Sequence, residues 1–371
     1  MSTVSLSRLL EHHLDGFKAT HRLPVYQLRA LEQYRVCRSA ALGSHSQYCE
    51  NGHVMGVWYN SCKRRGCPQC QSLPTERWLV SQCEVLLAET HHHWIFTLPH
   101  ELLELWRYNR ALMQDMLFKA VADTLKQLGK DTRYLGAQPA FLLTLHTWGR
   151  NLSLHPHLHC LIAHGGATVE GQWIPPRKSC LFPARVMMQL FRGKLLSGLK
   201  ALPGVTLPDT MNERQCQTLL NKLGRKDWVV HCCKPYRHGK GVMVYLARYV
   251  KSGALKSKSL RPMGDHAVAF SYRSHRTHSR HRQVLSIAHF IQRMCDHIPQ
   301  FGKPGLRYYG LYHPCLRGKL NSVRSQLGQP PVKRTVAMSP EQYMASQSLI
   351  PRCEQCHAPL RGLGDYVNAM N

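Results

Sequence analysis

Acidic side chains are scarce in this chain of 371 residues, which holds 21 Asp and Glu against 49 Lys and Arg. The formal net charge of +28 at pH 7 indicates a polyanionic partner, and nucleic acid is the first candidate. The chain also lacks an apolar run of about 18 residues, the length at which a membrane-spanning helix is expected. Its first residues, MSTVSLSRLLEHHLDGF, lack the pattern of a signal peptide. We therefore expect no membrane association and a cytoplasmic location.

Disulfide bonds are not expected in the cytoplasm, yet the chain has 15 cysteines. Metal binding is the better explanation for those that cluster. A C-x-x-C pair at Cys67 and Cys70 and a C-x-x-x-H pair at Cys49 and His53 flank the alternating segment VMGVWYNS, which predicts a hairpin. Four nitrogen and sulfur ligands with no open position make a structural zinc site. We predict zinc at Cys49, His53, Cys67 and Cys70.

Other donors leave the choice of zinc ligands open. Near the end of the chain, Cys353 and Cys356 form another C-x-x-C. This pair is half a zinc site, which Cys315 or His313 would complete by folding back. Three further donors in the first segment could replace one of the four ligands or hold a second zinc ion: Cys37, His45 and Cys62.

Histidines cluster in the segment LHTWGRNLSLHPHLHCLIAHGG. Residues 154–163 alternate as a strand does, so His155, His157 and His159 share one face while the opposite face is apolar. A single His-x-His is more often a solvent-facing edge, but three imidazoles on a half-buried strand favour a divalent metal ion. A hairpin with the preceding strand brings His146 towards the same place. We predict metal ligands at His157, His159 and His146, with His155 competing for the third position.

The segment GVMVYLARYVKSG, residues 241–253, has helical spacing and ends at a glycine. Tyr245 and Tyr249 are four residues apart and therefore neighbours on one side of the helix. Paired helical tyrosines usually belong to a core, but Arg248 and Lys251 beside them indicate a phosphate-binding setting. With a metal ion on a phosphodiester and cations favouring the phenolate, either hydroxyl could attack the phosphorus. The predicted catalytic residues are Tyr245, Tyr249 and Lys251, and the predicted product is DNA joined to tyrosine, which keeps the bond energy for strand transfer.

Two further groups of basic residues are predicted to contact DNA. One lies within the cysteine segment, and the other is the segment SHRTHSRHR. Such a basic turn is either a solvated loop or a clamp on the nucleic-acid backbone, and the charge of the whole chain favours the clamp. The predicted DNA-binding residues are Lys63, Arg64, Arg65, Arg248, Arg276 and Arg280.

These motifs resemble two known groups of proteins. His157-Leu158-His159 is similar to the His-hydrophobic-His motif of HUH endonucleases, and YLARYVK resembles the paired-tyrosine helix of rolling-circle initiators and of IS91-family insertion-sequence transposases. The similarity to the IS91 family extends over most of the chain, through YNSCKRRGCPQCQ, FTLPHEL, the histidine segment, YLARYV, RYYGLY and the last C-x-x-C. It implies Mg²⁺ or Mn²⁺ at the histidines, a 5′-phosphotyrosine intermediate, and single-stranded transposon ends as substrate. It also implies that the cysteine module helps bind DNA and that the protein acts at the bacterial nucleoid.

The alternation of predicted strands and helices indicates an α+β protein with one antiparallel sheet. Strands are expected at residues 92–99, 140–147, 155–163, 228–233 and 267–273, with a long helix over 101–129. The resemblance implies a palm-like sheet with the histidines on a central strand. We divide the chain into an N-terminal helix and zinc-binding module (1–90), an HUH nuclease domain (91–315), and a basic C-terminal tail with the last C-x-x-C (316–371).

Other functions compete with rolling-circle transposition. A plasmid replication initiator or relaxase would share the chemistry but act at a replicon or transfer origin, and the zinc module favours the transposase. A transposase that uses metal ions held by three carboxylates is disfavoured, because acids are scarce and none lies suitably near the histidines. A non-catalytic zinc-bearing DNA-binding regulator would use the tyrosines only for packing. A zinc hydrolase acting on a small molecule would leave the charge of +28 unexplained.

Overall fold

The computed structural model describes residues 3–201, 204–233, 235–236, 243, 254–255, 259–274, 277–332 and 339–362. Its helices are α1 (Leu6–Thr20), α2 (Val25–Arg35), α3 (Ser72–Val85), α4 (Leu103–Tyr108), α5 (Arg110–Lys130), α6 (Ala184–Ala201), α7 (Glu213–Arg225), α8 (Ile287–His297), α9 (Arg317–Gln326) and α10 (Pro340–Ser346). Its strands are β1 (Ser44–Cys49), β2 (Val54–Tyr59), β3 (His91–Thr97), β4 (Gln138–Trp148), β5 (Leu154–Ala167), β6 (Trp173–Ile174), β7 (Val230–Cys232), β8 (Arg261–Met263), β9 (Ala267–Arg273), β10 (Arg280–Ser286), β11 (Leu306–Tyr309) and β12 (Leu360–Arg361). Short 3₁₀ turns lie at Ala40–Leu42, His100–Leu102, Gly310–Tyr312 and Pro314–Leu316. Within the described ranges, no helix is both long and apolar enough to cross a membrane.

The largest sheet has the strand order β11-β4-β5-β3-β7, with antiparallel neighbours throughout, and β6 pairs with β5. Strands β4 and β5 lie at its centre, and most of their residues are buried on both faces. On one face, Phe96 and Leu158 pack against α5 and α6, where Phe96 meets the ring of Phe191 edge-on at 5.4 Å. On the other face, Leu142 and Leu161 pack against α9 and the loop before β3. The sheet is therefore covered on both sides.

Two smaller sheets accompany the central one. Strands β12, β1 and β2 form the first, and β10, β9 and β8 form the second. The second sheet packs with α1, α2 and α8, because Val268 and Phe270 of β9 are buried with Leu10 of α1 and Phe290 of α8. The predicted α+β class with antiparallel sheets is confirmed.

The structure corrects the prediction of a single sheet. Strand β9, expected to join the central sheet, pairs instead with β8 and β10. The reason lies in the basic segment after β9, whose last three residues begin strand β10 rather than continuing as a loop. Strands β8 and β10 then occupy both hydrogen-bonding edges of β9, so no edge is left for the central sheet, and its apolar side chains pack on α8 and α1.

The predicted helix over residues 101–129 is divided in two at Asn109, which joins α4 to α5. The Asn109 side-chain amide donates to the carbonyl oxygens of Leu105 at 2.9 Å and Thr206 at 2.7 Å. Its side-chain oxygen accepts from the Thr206 amide at 2.8 Å. These side-chain bonds tie Asn109 to the loop at Thr206 and accompany a backbone conformation outside the helical region, at φ −128° and ψ 37°.

Parts of the predicted C-terminal tail pack on the rest of the chain. Leu320 and Val323 of α9 are fully buried against the central sheet. Strand β12 pairs with β1 of the cysteine segment, and Tyr343 and Met344 of α10 are buried beside Cys49. The segment therefore contributes to both earlier parts of the protein.

Candidate functional site

Three histidines meet on one face of the central sheet. His157 and His159 are two residues apart on β5, and adjacent β4 places His146 directly opposite His157 and Thr144 opposite His159. Because side chains in a strand repeat every second residue, and directly paired residues of antiparallel strands point to the same side, these three imidazoles converge. Their candidate ligand atoms all lie within 4.8 Å of one another.

The ring nitrogens of this histidine cluster (His146, His157 and His159) are oriented by hydrogen bonds. Nδ1 of His157 lies 2.6 Å from the carbonyl oxygen of His155, to which it donates, and this leaves the lone pair of its Nε2 free to bind a metal. That Nε2 lies 3.1 Å from Nε2 of His159. On the far side of His159, Nδ1 lies 2.7 Å from Nε2 of His93 on β3. His93 was not among the residues expected from the sequence.

Burial keeps the cluster uncharged. His146 and His159 are 3% and 2% exposed, whereas His157 is only partly buried. Burial lowers the pKa of His157 to about 4 and lowers the pKa values of His146 and His159 well below the usual range of histidine. Neutral imidazole is the form that binds metal. The donor set therefore fits a divalent ion.

His155 shares the strand face but lies outside the cluster. Its ring centroid lies 5.0 Å from that of His157 and 5.8 Å from that of His100, but its nitrogens are not among the converging ligand atoms. The third position is taken instead by His146, whose ring is stacked on Trp148 with centroids 5.3 Å apart and an angle of 12° between the planes. The geometry thus brings together the three histidines that were predicted as ligands.

The predicted nucleophiles, Tyr245 and Tyr249, lie outside the described residues. The same is true of three predicted cations: Arg248, Lys251 and Arg276. Met243, two residues before Tyr245, is described. It is helical and fully buried in the apolar cluster that contains Leu142 and Leu161. Those two residues occupy the same sheet face as the histidine cluster, because Leu142 precedes His146 by four residues on β4 and Leu161 follows His159 by two residues on β5.

A separate group of four thiols, which we call the first cysteine site, lies where α2, β2 and α3 meet: Cys37, Cys62, Cys67 and Cys70. The Sγ atoms of Cys62 and Cys70 are 3.7 Å apart, and those of Cys67 and Cys37 are 3.6 Å apart. A zinc ion with bonds of about 2.3 Å to tetrahedral thiolates requires an S···S distance of about 3.8 Å. Hydrogen bonding from the Cys37 thiol lowers the pKa of Cys70 below its ordinary value. The site fits zinc.

The knuckle of the first cysteine site depends on a glycine. Gly66 precedes Cys67 and has φ +85°, a conformation that other residues rarely adopt. A Cβ at this position would also meet the hydroxyl of Tyr34 at 3.0 Å and the ring of Pro299 at 3.1 Å. The Tyr34 hydroxyl donates to the Arg65 carbonyl at 2.9 Å, which fixes the same turn from α2.

The structure corrects the predicted grouping of zinc ligands. Cys67 and Cys70 belong to the first cysteine site, but Cys49 and His53 lie with Cys353 and Cys356. The reason is the hairpin itself: Cys49 and His53 flank its turn, whereas the first site lies at its open end. A strand of six residues separates the two ends by about 20 Å. Among the spare donors, His45 is in neither group, because its Nδ1 pairs with the side-chain oxygen of Asn60 at 3.0 Å.

The predicted DNA-binding residues that the structure describes differ in their exposure to solvent. Lys63 is exposed and Arg64 partly buried. The guanidinium of Arg65 donates to the Lys303 carbonyl at 3.2 Å, so part of its donor capacity is already used. Arg280 is exposed on β10, directly opposite Arg273 of β9.

Comparison with known proteins identifies the class. A family model described as a putative transposase matches residues 140–319, and one described as a transposase zinc-binding domain matches residues 9–98. The chain is 34% identical over 361 residues to the putative transposase y4qJ of Sinorhizobium fredii (strain NBRC 101917 / NGR234), covering 92% of this chain and 90% of that one. It is 31% identical over 293 residues to the transposase for insertion sequence element IS801 of Pseudomonas savastanoi pv. phaseolicola, covering 76% and 70%. No solved structure matches.

The two matched regions and the zinc-type cysteine site define a transposase with a zinc-binding module. More narrowly, the chain belongs to the IS91 family of insertion-sequence transposases. The family resemblance of the sequence motifs is thereby confirmed.

Proposed function

We propose that this transposase cleaves single-stranded transposon ends and transfers the strands through a phosphotyrosine intermediate, as in rolling-circle transposition. The observation that carries the proposal is the histidine cluster: three neutral, convergent imidazoles on a sheet face that also buries Met243, two residues before Tyr245. The alternative of a plasmid initiator or relaxase uses the same chemistry. The names of the similar proteins favour transposition.

His146, His157 and His159 would hold Mg²⁺ or Mn²⁺. When bound, such an ion polarises a phosphodiester and makes its phosphorus more electrophilic. The protein prepares the ligands in advance, because the His155 carbonyl and His93 fix the ring orientations of His157 and His159. Among the described residues the set consists of three imidazoles without a carboxylate, and these softer donors favour manganese over magnesium.

The chemical step assigned to the tyrosines is a direct displacement. The hydroxyl of Tyr245 or Tyr249 loses its proton to solvent, and its oxygen forms a bond to phosphorus. The bond from phosphorus to the 3′ oxygen of the preceding nucleotide breaks, and that oxygen takes up a proton to leave as a free 3′ hydroxyl. Lys251 and Arg248 lower the cost of the phenolate by their charge. A second tyrosine permits a second cleavage while the first DNA end is still attached.

DNA is held by charge. We propose that Lys63, Arg64 and Arg65 contact phosphates beside the first cysteine site, and that Arg276 and Arg280 contact them at the β9–β10 hairpin, with Arg248 near the tyrosines. The net charge of +28 supports attraction to a polyanion over a distance of about one Debye length, which is about 8 Å at physiological salt. Such a protein would be found on the nucleoid while it acts.

The test uses a single-stranded oligonucleotide that carries the end of the element encoding this chain, labelled at its 3′ end. With Mn²⁺ or Mg²⁺, the protein should form a labelled adduct that survives SDS. The double variant Tyr245→Phe/Tyr249→Phe should lose the adduct yet bind the oligonucleotide as before, whereas Tyr108→Phe, at an exposed tyrosine ending α4, should retain it. An adduct from the double variant would refute the tyrosine assignment, and no adduct from the unaltered protein would favour a non-catalytic regulator.

The metal ligands are tested on the same gel. His157→Ala should lose metal-dependent cleavage. His155→Ala is the matched control, because His155 is outside the group of converging ligand atoms and the variant keeps the backbone carbonyl that accepts from His157, although the two rings are neighbours with centroids 5.0 Å apart. Equal cleavage by the two variants would show that the histidine cluster is not the metal site.

A further inference from the structure

Two pairs of metal-type ligands from opposite ends of the chain meet at the turn of the β1–β2 hairpin. Cys49 and His53 flank that turn, and Cys353 and Cys356 come from the segment between α10 and β12. Cys353 lies 300 positions after His53. The zinc-binding family match ends at residue 98 and the transposase match at residue 319, so both leave Cys353 and Cys356 outside.

The distances within this group are those of a tetrahedral zinc site. The Sγ atoms of Cys356 and Cys49 are 3.6 Å apart, and Nδ1 of His53 lies 3.5 Å from Cys49 Sγ and 3.6 Å from Cys353 Sγ. With zinc bonds of about 2.3 Å to sulfur and about 2.0 Å to nitrogen, the tetrahedral edges are about 3.8 Å for S···S and about 3.5 Å for S···N. We infer that Cys49, His53, Cys353 and Cys356 form a second structural zinc site that joins the C-terminal segment to the N-terminal module.

Each half of this second site is a tight turn that presents its ligands. In the first half, Gly52 has φ +79°, its amide donates to the Cys49 carbonyl at 3.1 Å, and the Cys49 amide donates to the His53 carbonyl at 3.1 Å. In the second half, the Cys353 amide donates to the Ala358 carbonyl at 2.9 Å. Two preformed knuckles face each other, so the ion would have little backbone left to order when it binds.

The two halves are also joined by backbone and apolar contacts. Strand β12 pairs with β1, with Leu360 opposite Cys49 and Arg361 opposite Tyr48. Around the ligands, Leu73 of α3 packs with Tyr343 and Met344 of α10 in one buried cluster. Cys49 and Cys353 are each 1% exposed. The ligands thus lie inside a small core that both ends of the chain build together.

A disulfide does not explain this group. The Sγ atoms of Cys49 and Cys356 are 3.6 Å apart, against about 2.05 Å in a disulfide, and a histidine would have no role there. The second site is also distinct from the first cysteine site, whose four ligands lie at the open end of the hairpin. The zinc-binding module therefore includes residues 339–362 in addition to the segment before the central sheet.

Zinc content of the full-length protein tests this inference without reference to DNA cleavage. The protein would be purified under reducing conditions in a His157→Ala background, so that the histidine cluster does not add to the count, and measured by elemental analysis. We expect two zinc ions per chain, one after Cys353→Ser/Cys356→Ser, and one after Cys67→Ser/Cys70→Ser. Cys315→Ser, at an exposed cysteine outside both sites, should keep two.

Variants at His53 distinguish zinc loss caused by a missing ligand from zinc loss caused by misfolding. His53→Cys supplies a thiolate and should keep two zinc ions, whereas His53→Ala should lose one or bind it more weakly. With cobalt in place of zinc, His53→Cys should increase the thiolate-to-metal absorption band relative to the unaltered protein. A count of one zinc that is unaffected by Cys353→Ser/Cys356→Ser would overturn the second site, and so would equal zinc content in His53→Cys and His53→Ala at two ions each.

Discussion

His93 gives the sharpest test of how the sheet prepares the histidine cluster. It lies on β3, is 3% exposed, and its Nε2 is 2.7 Å from Nδ1 of His159. A metal bound to Nε2 of His159 requires the proton of that ring to be on Nδ1, which then donates to His93. His93→Ala removes the acceptor, so the ring of His159 can rotate or exchange its tautomer.

The expected effect is a loss of metal affinity. Removing the hydrogen-bond partner of a metal-binding histidine weakens metal binding by about 10- to 100-fold, or about 1.4 to 2.7 kcal/mol. We expect this weakening when Mn²⁺ is titrated into the protein at pH 7.5, where the buried histidines are neutral. His93→Gln places an amide oxygen near the lost nitrogen and should restore most of the affinity.

The next residue supplies a matched control. His92 points to the opposite face of β3, is 5% exposed, and its Nε2 lies 2.7 Å from Nδ1 of His164. His92→Ala therefore removes an equally buried histidine and a hydrogen bond of the same length without touching the cluster. Should His93→Ala bind Mn²⁺ as tightly as His92→Ala and the unaltered protein, the role of His93 in orienting His159 would be refuted.

Two further predictions concern pH and salt. Burial lowers the pKa of His297 to about 4, so the unfolded state binds the proton more readily. The neutral imidazole of His297 therefore contributes its full stabilisation above about pH 6.5, and this contribution is lost as the pH falls towards 4. At pH 5 the loss lowers the free energy of unfolding by about 2 kcal/mol. In urea unfolding, the free energy of unfolding of His297→Gln should differ less between pH 7.5 and pH 5 than that of the unaltered protein. The same difference in both proteins would contradict this prediction. Arg280→Ala should reduce the slope of log affinity for single-stranded DNA against log salt concentration by about 0.7. Arg133→Ala should leave the slope unchanged, because the Arg133 guanidinium already pairs with Asp131 at 2.6 Å. Equal slopes for the two variants would show that Arg280 does not contact DNA.

Local patterns were enough for several features. His157 and His159 share a face because strand side chains alternate, and His146 follows from pairing β4 with β5 through a short connection. The C-x-x-C pairs could be recognised because a knuckle is built within four residues. The α+β class followed from the spacing of apolar segments. Each of these features depends on neighbours along the chain or on one adjacent strand, so the sequence contains the information directly.

The tertiary structure decided which local units meet. Cys49 and His53 were predicted to share zinc with Cys67 and Cys70, yet the rigid hairpin keeps those pairs about 20 Å apart, and the missing half came from Cys353 and Cys356. Any two such pairs make a chemically acceptable set of four, so composition alone has no means of choosing among them. His93 escaped notice for the same reason, since its contact with His159 crosses from β3 to β5. By itself the sequence determined which side chains could bind metal, and the packing of strands and termini determined which of them lie together.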